Sequence, residues 1–259
     1  LVHQLLAGKT GIGHTRWATH GAPTEQNAHP HRAGDVAVVH NGIIENYKAL
    51  RESLAADGIA PQTETDTETI ALLAHRHLRS GKGPVAAAMA TLDDLDGAFA
   101  LVMMFDGHPD LLVAARKGSP LAIGHGAGEM FVGSDAIALA PLTGEMTYVE
   151  EGDRAVLSRA GVTVFDAAGA EVNRKVTRVQ MDSARVDKAG YKHFMAKEIA
   201  EQPVVLADAL SAYAGDDGIT LPEPGIDFTA IDRLTMVACG TAYYACLTAK
   251  YWFEQLARM

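Results

Sequence analysis

The sequence predicts an α+β fold of packed sheets with helices outside, followed by the opening of a second, parallel α/β domain. Three observations predict it. Helical patterns are grouped early, between residues 46 and 95. Many short apolar runs split by Gly, Pro and Asp then follow up to about Gln180. After Val179 the pattern changes to a long helix, a Gly/Pro/Asp-rich stretch, and a strand–Gly turn–helix.

Taken in order, Val36–His40 is an apolar run suited to a buried strand. Asn46 is placed to cap a helix over Tyr47–Ala56, which Gly58 can end. Thr65 and Thr67 are placed to cap the next helix, whose Ile70, Leu72, Leu73 and Leu78 lie mostly on one face. A third helix runs from Val85 to Leu95. Strands are expected over 98–105, 111–115, 121–124, 130–134, 146–149, 154–158, 162–165 and 172–179. A helical stretch spans Tyr191–Tyr213, with Pro203 expected to kink or divide it. Gly215–Phe228 reads as a linker, Leu234–Ala238 as a strand, and the helix after Cys239-Gly240-Thr241 runs through Trp252.

Composition excludes several function classes. Of the 259 residues, 48% are apolar and 21% charged, the balance of a globular protein. No stretch approaches the roughly 20 apolar residues of a membrane span, and no secretion signal is visible. A net charge of −10 without a basic patch repels phosphate backbones, which argues against nucleic acid. Only Cys239 and Cys246 occur, which fits a reducing cytoplasm; both are expected to be buried and inert. Leu1 opens the sequence, and Tyr251–Met259 sits in a helical pattern with no stop signal, so the expectation is a piece of a longer chain.

Three stretches carry chemistry. In His14-Thr15-Arg16-Trp17-Ala18-Thr19-His20-Gly21, Arg16 can grip a carboxylate bidentately and Trp17 can exclude water. A surface turn around a half-buried Trp is the other reading, and spacing leaves the two even. In His40-Asn41-Gly42, the pair is first a turn signal. At a strand end, however, the Asn41 amide and the next backbone N–H make an oxyanion hole. In Glu64-Thr65-Asp66-Thr67-Glu68, acids in a first helical turn suit the macrodipole, while Asp66 can also hold an ammonium. Taken together, these stretches describe recognition of an amino acid: Arg16 for its carboxylate, Asp66 for its ammonium, and Asn41 with Gly42 for an oxyanion at its side-chain carbonyl. A nucleophile is missing. His29 and His31 suggest turn packing or a hydrogen bond ahead of a metal site, since no third ligand is in view.

T-R-W-A-T-H-G, A-H-P-H, H-N-G-I-I-E-N and E-T-D-T-E resemble the class II glutamine amidotransferase domain of the glutamine–fructose-6-phosphate aminotransferase family. Glu150–Asp153 and K-H-F-M-x-K-E-I-x-E-Q-P at Lys192–Pro203 look like later segments of that family. A-C-G-T at Ala238–Thr241 is similar to the start of its sugar-isomerase (SIS) domain, although Ala242 stands where the family often has Ser.

The resemblance implies a four-layer αββα sandwich of the N-terminal-nucleophile-hydrolase type over residues 1–182. An interdomain helix and linker at 183–228 and the start of a three-layer α/β SIS domain at 229–259 follow. It implies glutamine binding by Arg16, Trp17, Thr19, His20, Gly21 and Asp66, with Trp17 gating an ammonia channel. Asn41 and Gly42 become the oxyanion pair and Thr241 a sugar-phosphate contact. The implied reaction passes the amide nitrogen of L-glutamine to D-fructose 6-phosphate, for hexosamine synthesis, in a cytoplasmic homodimer with no metal or cofactor. The family's nucleophile is an N-terminal Cys, absent here, so the isolated chain is expected to be inactive. The alternatives are another class II amidotransferase, or a non-catalytic module binding glutamine or a sugar phosphate.

Overall fold

The computed structural model describes residues 8–16, 18, 20–179, 188–215, 218–219, 227 and 230–258. The chain divides into two units, Leu1–Ala189 and Gly190–Met259.

The first unit is built on two antiparallel sheets. One has seven strands in the order β1 (His31–Ala33), β2 (Val36–Ile44), β3 (Gly97–Phe105), β4 (Leu112–Lys117), β8 (Arg154–Ser158), β9 (Gly161–Phe165), β10 (Glu171–Val172). The other runs β11 (Val176–Arg178), β7 (Glu145–Tyr148), β5 (Ala122–His125), β6 (Met130–Gly133). Helices α1 (Tyr47–Ala56), α2 (Asp66–Arg79) and α3 (Pro84–Asp94) are joined by a single turn of helix, α4 (Ala136–Leu139).

Alternation along the strands sorts the side chains into three cores, which define four layers. On β3, Leu101 and Met103 face Leu54, Ile70, Leu73 and Leu92 of the three long helices. Ala100 and Val102, one residue out of phase, join Val39, Ile123 and Leu157 between the two sheets. Ala122 and Met146 close a third, small core with Ala136 and Leu139 of α4. The layering is αββα, as the resemblance implies, with one short helix as its fourth layer.

Local chemistry fixes the elements that matter for function. Thr65 caps α2 by accepting the Glu68 N–H, while the buried Glu68 carboxylate reaches back to the backbone N–H groups of Gln62 and Thr63. Thr67 is inside the helix and caps nothing. Arg76, His77 and Arg79 fill the last turn, where cations oppose the macrodipole. Asn46 sits at the N-cap of α1 but makes no capping bond; its amide bridges Asp94 O and Asp96 N instead.

Two strand expectations are corrected here. The run 172–179 is split into β10 and β11, which belong to different sheets. The cause is Arg174, whose guanidinium grips the fully buried Asp153 with Nε and Nη2 at 2.8 and 2.7 Å and so pins the chain at the crossover. The strand at Val36–His40 does not stop there: β2 continues through Asn41 and Gly42, paired with Ala100 and Phe99 of β3. Asn41-Gly42 is therefore neither a turn nor a strand end.

The second unit holds α5 (Phe194–Tyr213), the two-residue strands β12 (Ala214–Gly215) and β13 (Gly218–Ile219), and α6 (Gly240–Trp252), which continues as a π-helical turn over Phe253–Ala257. Pro203 lies inside α5 without dividing it. Most of the expected linker falls outside the described residues. Leu234–Ala238 forms no strand: it has no ladder partner among the described residues, and Val237 is 89% exposed. Without a sheet to cover them, Cys239 is exposed and Cys246 half-buried, contrary to the expectation of two buried thiols. No described helix is long and apolar enough to cross a membrane.

Candidate active site

Four segments meet around a cavity of about 230 Å³ lined by His14, Arg16, His20, His29, His40, Asn41, Gly42, Ile43, Thr65, Asp66 and Thr67. At that volume it lies below the range of drug-sized pockets and suits a ligand the size of an amino acid. Arg16, His20, Asn41, Gly42 and Asp66, distant in sequence, are thus brought together. Gly21 stands behind this wall, its carbonyl accepting from Arg16. Its φ is +78, and a Cβ there would press on the Asn27 amide at 3.0 Å. Trp17 and Thr19 lie outside the described residues. Thr241 is in the other unit, exposed in the first turn of α6.

The site's charges are those of Asp66 and Arg16, both in the cavity lining. Asp66 is buried at the N-terminus of α2; its Oδ2 accepts the Ile44 N–H at 2.8 Å, and Oδ1 has no hydrogen-bond partner among the described residues. Arg16 adopts a left-handed φ of +50. Its guanidinium donates to the carbonyls of Ala22, His20 and Gly21 at 2.9, 3.2 and 3.0 Å, which occupies three of its five N–H donors. The expected bidentate grip is therefore reduced here: Nε and one N–H of Nη1 remain for a carboxylate unless the loop carbonyls yield.

Asn41 and Gly42, expected from the sequence to form an oxyanion pair, both lie on β2. Asn41 Oδ1 contacts His14 Nε2 at 2.6 Å, and no bond is made by its Nδ2 among the described residues. Glu45 N–H bonds Asp96 O on the β3 side, whereas Ile44 N–H turns to Asp66. Ladder N–H groups alternate, so that of Gly42 shares the Ile44 side, facing Asp66 and the cavity. Gly42 has φ +120, and an added Cβ would lie 2.0 Å from Ala98 O. Only glycine fits.

A histidine cluster adjoins the cavity, with His29 and His40 in its lining. Thr67 Oγ1 contacts His40 Nδ1 at 3.0 Å and His29 Nε2 at 3.2 Å, and Thr65 Oγ1 contacts His31 Nε2 at 2.9 Å. Burial, then the neighbouring His14, pushes His29 down to about 3; burial outweighs Asp66 at His40 and pushes it to about 4. Burial also lowers His31. At neutral pH these rings are uncharged, so Asp66 and Arg16 dominate the local field. Among the described residues no group of three or more His, Cys, Asp or Glu is arranged to hold a metal ion. The second role of Thr65 and Thr67, as partners of His31, His29 and His40, went unread in the sequence. A signal existed for one of them: His40 shares its strand face with Gly42 and Ile44.

Residues 14–141 match the profile of a family described as a glutamine amidotransferase domain. Over its full length the chain is 52% identical to a glutamine–fructose-6-phosphate aminotransferase [isomerizing] of Zymomonas mobilis and 53% identical to one of Brucella suis. It spans 43% of the length of each. Among solved structures it is similar to the glutamine phosphoribosylpyrophosphate amidotransferase of B. subtilis. That likeness has a TM-score of 0.47 and 27% identity, over 65% of this chain and 34% of the other.

Proposed function

We propose that the polypeptide carrying this sequence transfers the amide nitrogen of L-glutamine to D-fructose 6-phosphate, giving D-glucosamine 6-phosphate and glutamate. The observation that carries the reading is the convergence of Arg16, Asn41 and Asp66 on one amino-acid-sized cavity, in a chain alike over its whole length to aminotransferases of that name. Glutamine binds as a zwitterion, its carboxylate on Arg16 and its ammonium on Asp66 Oδ1. That pose sets its side-chain carbonyl against Asn41 Nδ2 and Gly42 N–H, which take up charge as the tetrahedral intermediate forms. The step calls for a thiol nucleophile, which none of the cavity's lining residues supplies.

His20, Gly21 and Thr19 complete the glutamine loop, and Trp17 gates the released ammonia, which must stay dry to remain an uncharged nucleophile. Residues 1–182 act as the amidotransferase domain and 183–228 as the connection. Residues 229–259 open the SIS domain, where Thr241 meets the sugar phosphate. The whole protein works as a cytoplasmic homodimer.

The test is the full-length polypeptide given glutamine and either fructose 6-phosphate or phosphoribosylpyrophosphate. Glucosamine 6-phosphate should form, and Asn41→Ala should lower kcat about 10²–10³-fold, the usual loss for one oxyanion donor. Amination of the phosphoribosyl substrate, or an unchanged kcat, overturns the reading.

A further inference from the structure

An asparagine can offer an oxyanion either its N–H₂ or its carbonyl, since half a turn about χ2 exchanges them, and only the first is stabilising. Something must choose between the two at Asn41. The one side-chain partner of its amide among the described residues is His14, with Nε2 at 2.6 Å from Oδ1. The other ring nitrogen, Nδ1, lies 2.8 Å from the backbone nitrogen of Arg16. A backbone N–H can only donate, so Nδ1 is a bare acceptor and the proton of the neutral ring is on Nε2. That proton then points at Asn41 Oδ1, which accepts it, and Nδ2 is left with its N–H₂ for the cavity. The ring of His29 lies against His14 with centroids 4.3 Å apart, which restrains its plane.

We infer that His14 is a positioning residue: it locks the Asn41 amide with its donor toward the substrate carbonyl, and the backbone of Arg16 selects the tautomer that does so. The inference rests on the oxyanion role proposed for Asn41. It also couples two binding groups, because the residue whose guanidinium faces the carboxylate sets, through its own N–H, the polarity of the oxyanion hole.

The test is a cycle in the full-length polypeptide, with kcat and KM for glutamine hydrolysis measured separately. His14→Leu should lower kcat about 10–100-fold, part of the loss typical of a deleted donor, with KM nearly unchanged. His14→Gln, whose amide N–H₂ can stand at the Nε2 position, should recover most of that loss. In the Asn41→Ala background, His14→Leu should cost less than about twofold more, because the amide it orients is gone. Independent losses, a His14→Gln protein as poor as His14→Leu, or an effect on KM in place of kcat would overturn it. The ring's ¹⁵N shifts in the unmutated protein give a readout that needs neither turnover nor a folded variant. Nε2 protonated and Nδ1 bare supports the inference, and the opposite tautomer refutes it. Absence of glutamine hydrolysis in the unmutated protein would refute the glutaminase reading and leave the tautomer standing as its own result.

Discussion

Replacing Gly42 by Ala tests whether β2 runs unbroken through the proposed oxyanion pair. The new methyl would lie 2.0 Å from Ala98 O and 2.9 Å from both Ala98 C and Phe99 Cα. These are backbone atoms of the neighbouring strand and cannot swing aside as a side-chain tip can. The backbone at φ +120 adds about 1–3 kcal/mol for an L-residue, and forced overpacking about 1–3 kcal/mol more. A loss of about 2–6 kcal/mol is large beside a total stability of about 5–15 kcal/mol. Urea unfolding followed by circular dichroism measures it as a fall in midpoint at constant m. Gly58→Ala is the control: its φ is +75 but nothing lies within 4 Å of the added Cβ. It should cost only the conformational part, about 1–2 kcal/mol. If Gly42→Ala costs no more than Gly58→Ala, the close approach of Gly42 to β3 is wrong and the reasoning fails.

Removing Arg174 should strand a carboxylate. Asp153 is fully buried and Arg174 is its paired cation, so Arg174→Leu should lower the urea midpoint. Adding Asp153→Asn should return part of the loss; an unchanged midpoint in the single variant refutes the pairing. Acid should weaken the fold through the histidine cluster. An unfolded chain protonates these rings near pH 6.5, whereas the folded one does so only at about 4 for His40 and about 3 for His29. The stability from the neutral rings is therefore complete above pH 6.5 and is lost as pH falls toward 4. The slope is at most about 1.4 kcal/mol per pH unit per ring, and less for half-buried His29, which solvent screens. Urea midpoints at pH 7.5, 5.5 and 4.5 should drop more steeply for the unmutated protein than for His40→Gln, and parallel slopes would contradict this.

Patterns that depend on local chemistry were readable in the sequence. Thr65 before an acidic first turn announced α2, and short apolar runs split by Gly, Pro and Asp announced most strands. Asn41-Gly42 misled because an Asn-Gly pair is locally a turn signal, whereas its conformation is set by pairing with β3, some sixty positions away. The split of 172–179 was invisible for the same reason: Arg174 answers to Asp153, a partner that no window contains. Leu234–Ala238 has the composition of a strand, but a strand needs a neighbour. At the cavity, residue types were legible one stretch at a time. What the sequence could not give is that Arg16 spends three donors on its own loop, or that Thr67 ties His40 to His29.

The central claim is that Asp66 and Arg16 hold the two ends of one amino acid. Calorimetric titration of the full-length polypeptide should compare L-glutamine with glutaramate, the same molecule without its ammonium. Loss of a charge-assisted bond of about 1.5–3 kcal/mol predicts at least about tenfold weaker binding of glutaramate. In Asp66→Asn that gap should close, because the partner of the ammonium is gone. Equal affinities in the unmutated protein, or a gap that survives Asp66→Asn, would contradict the account.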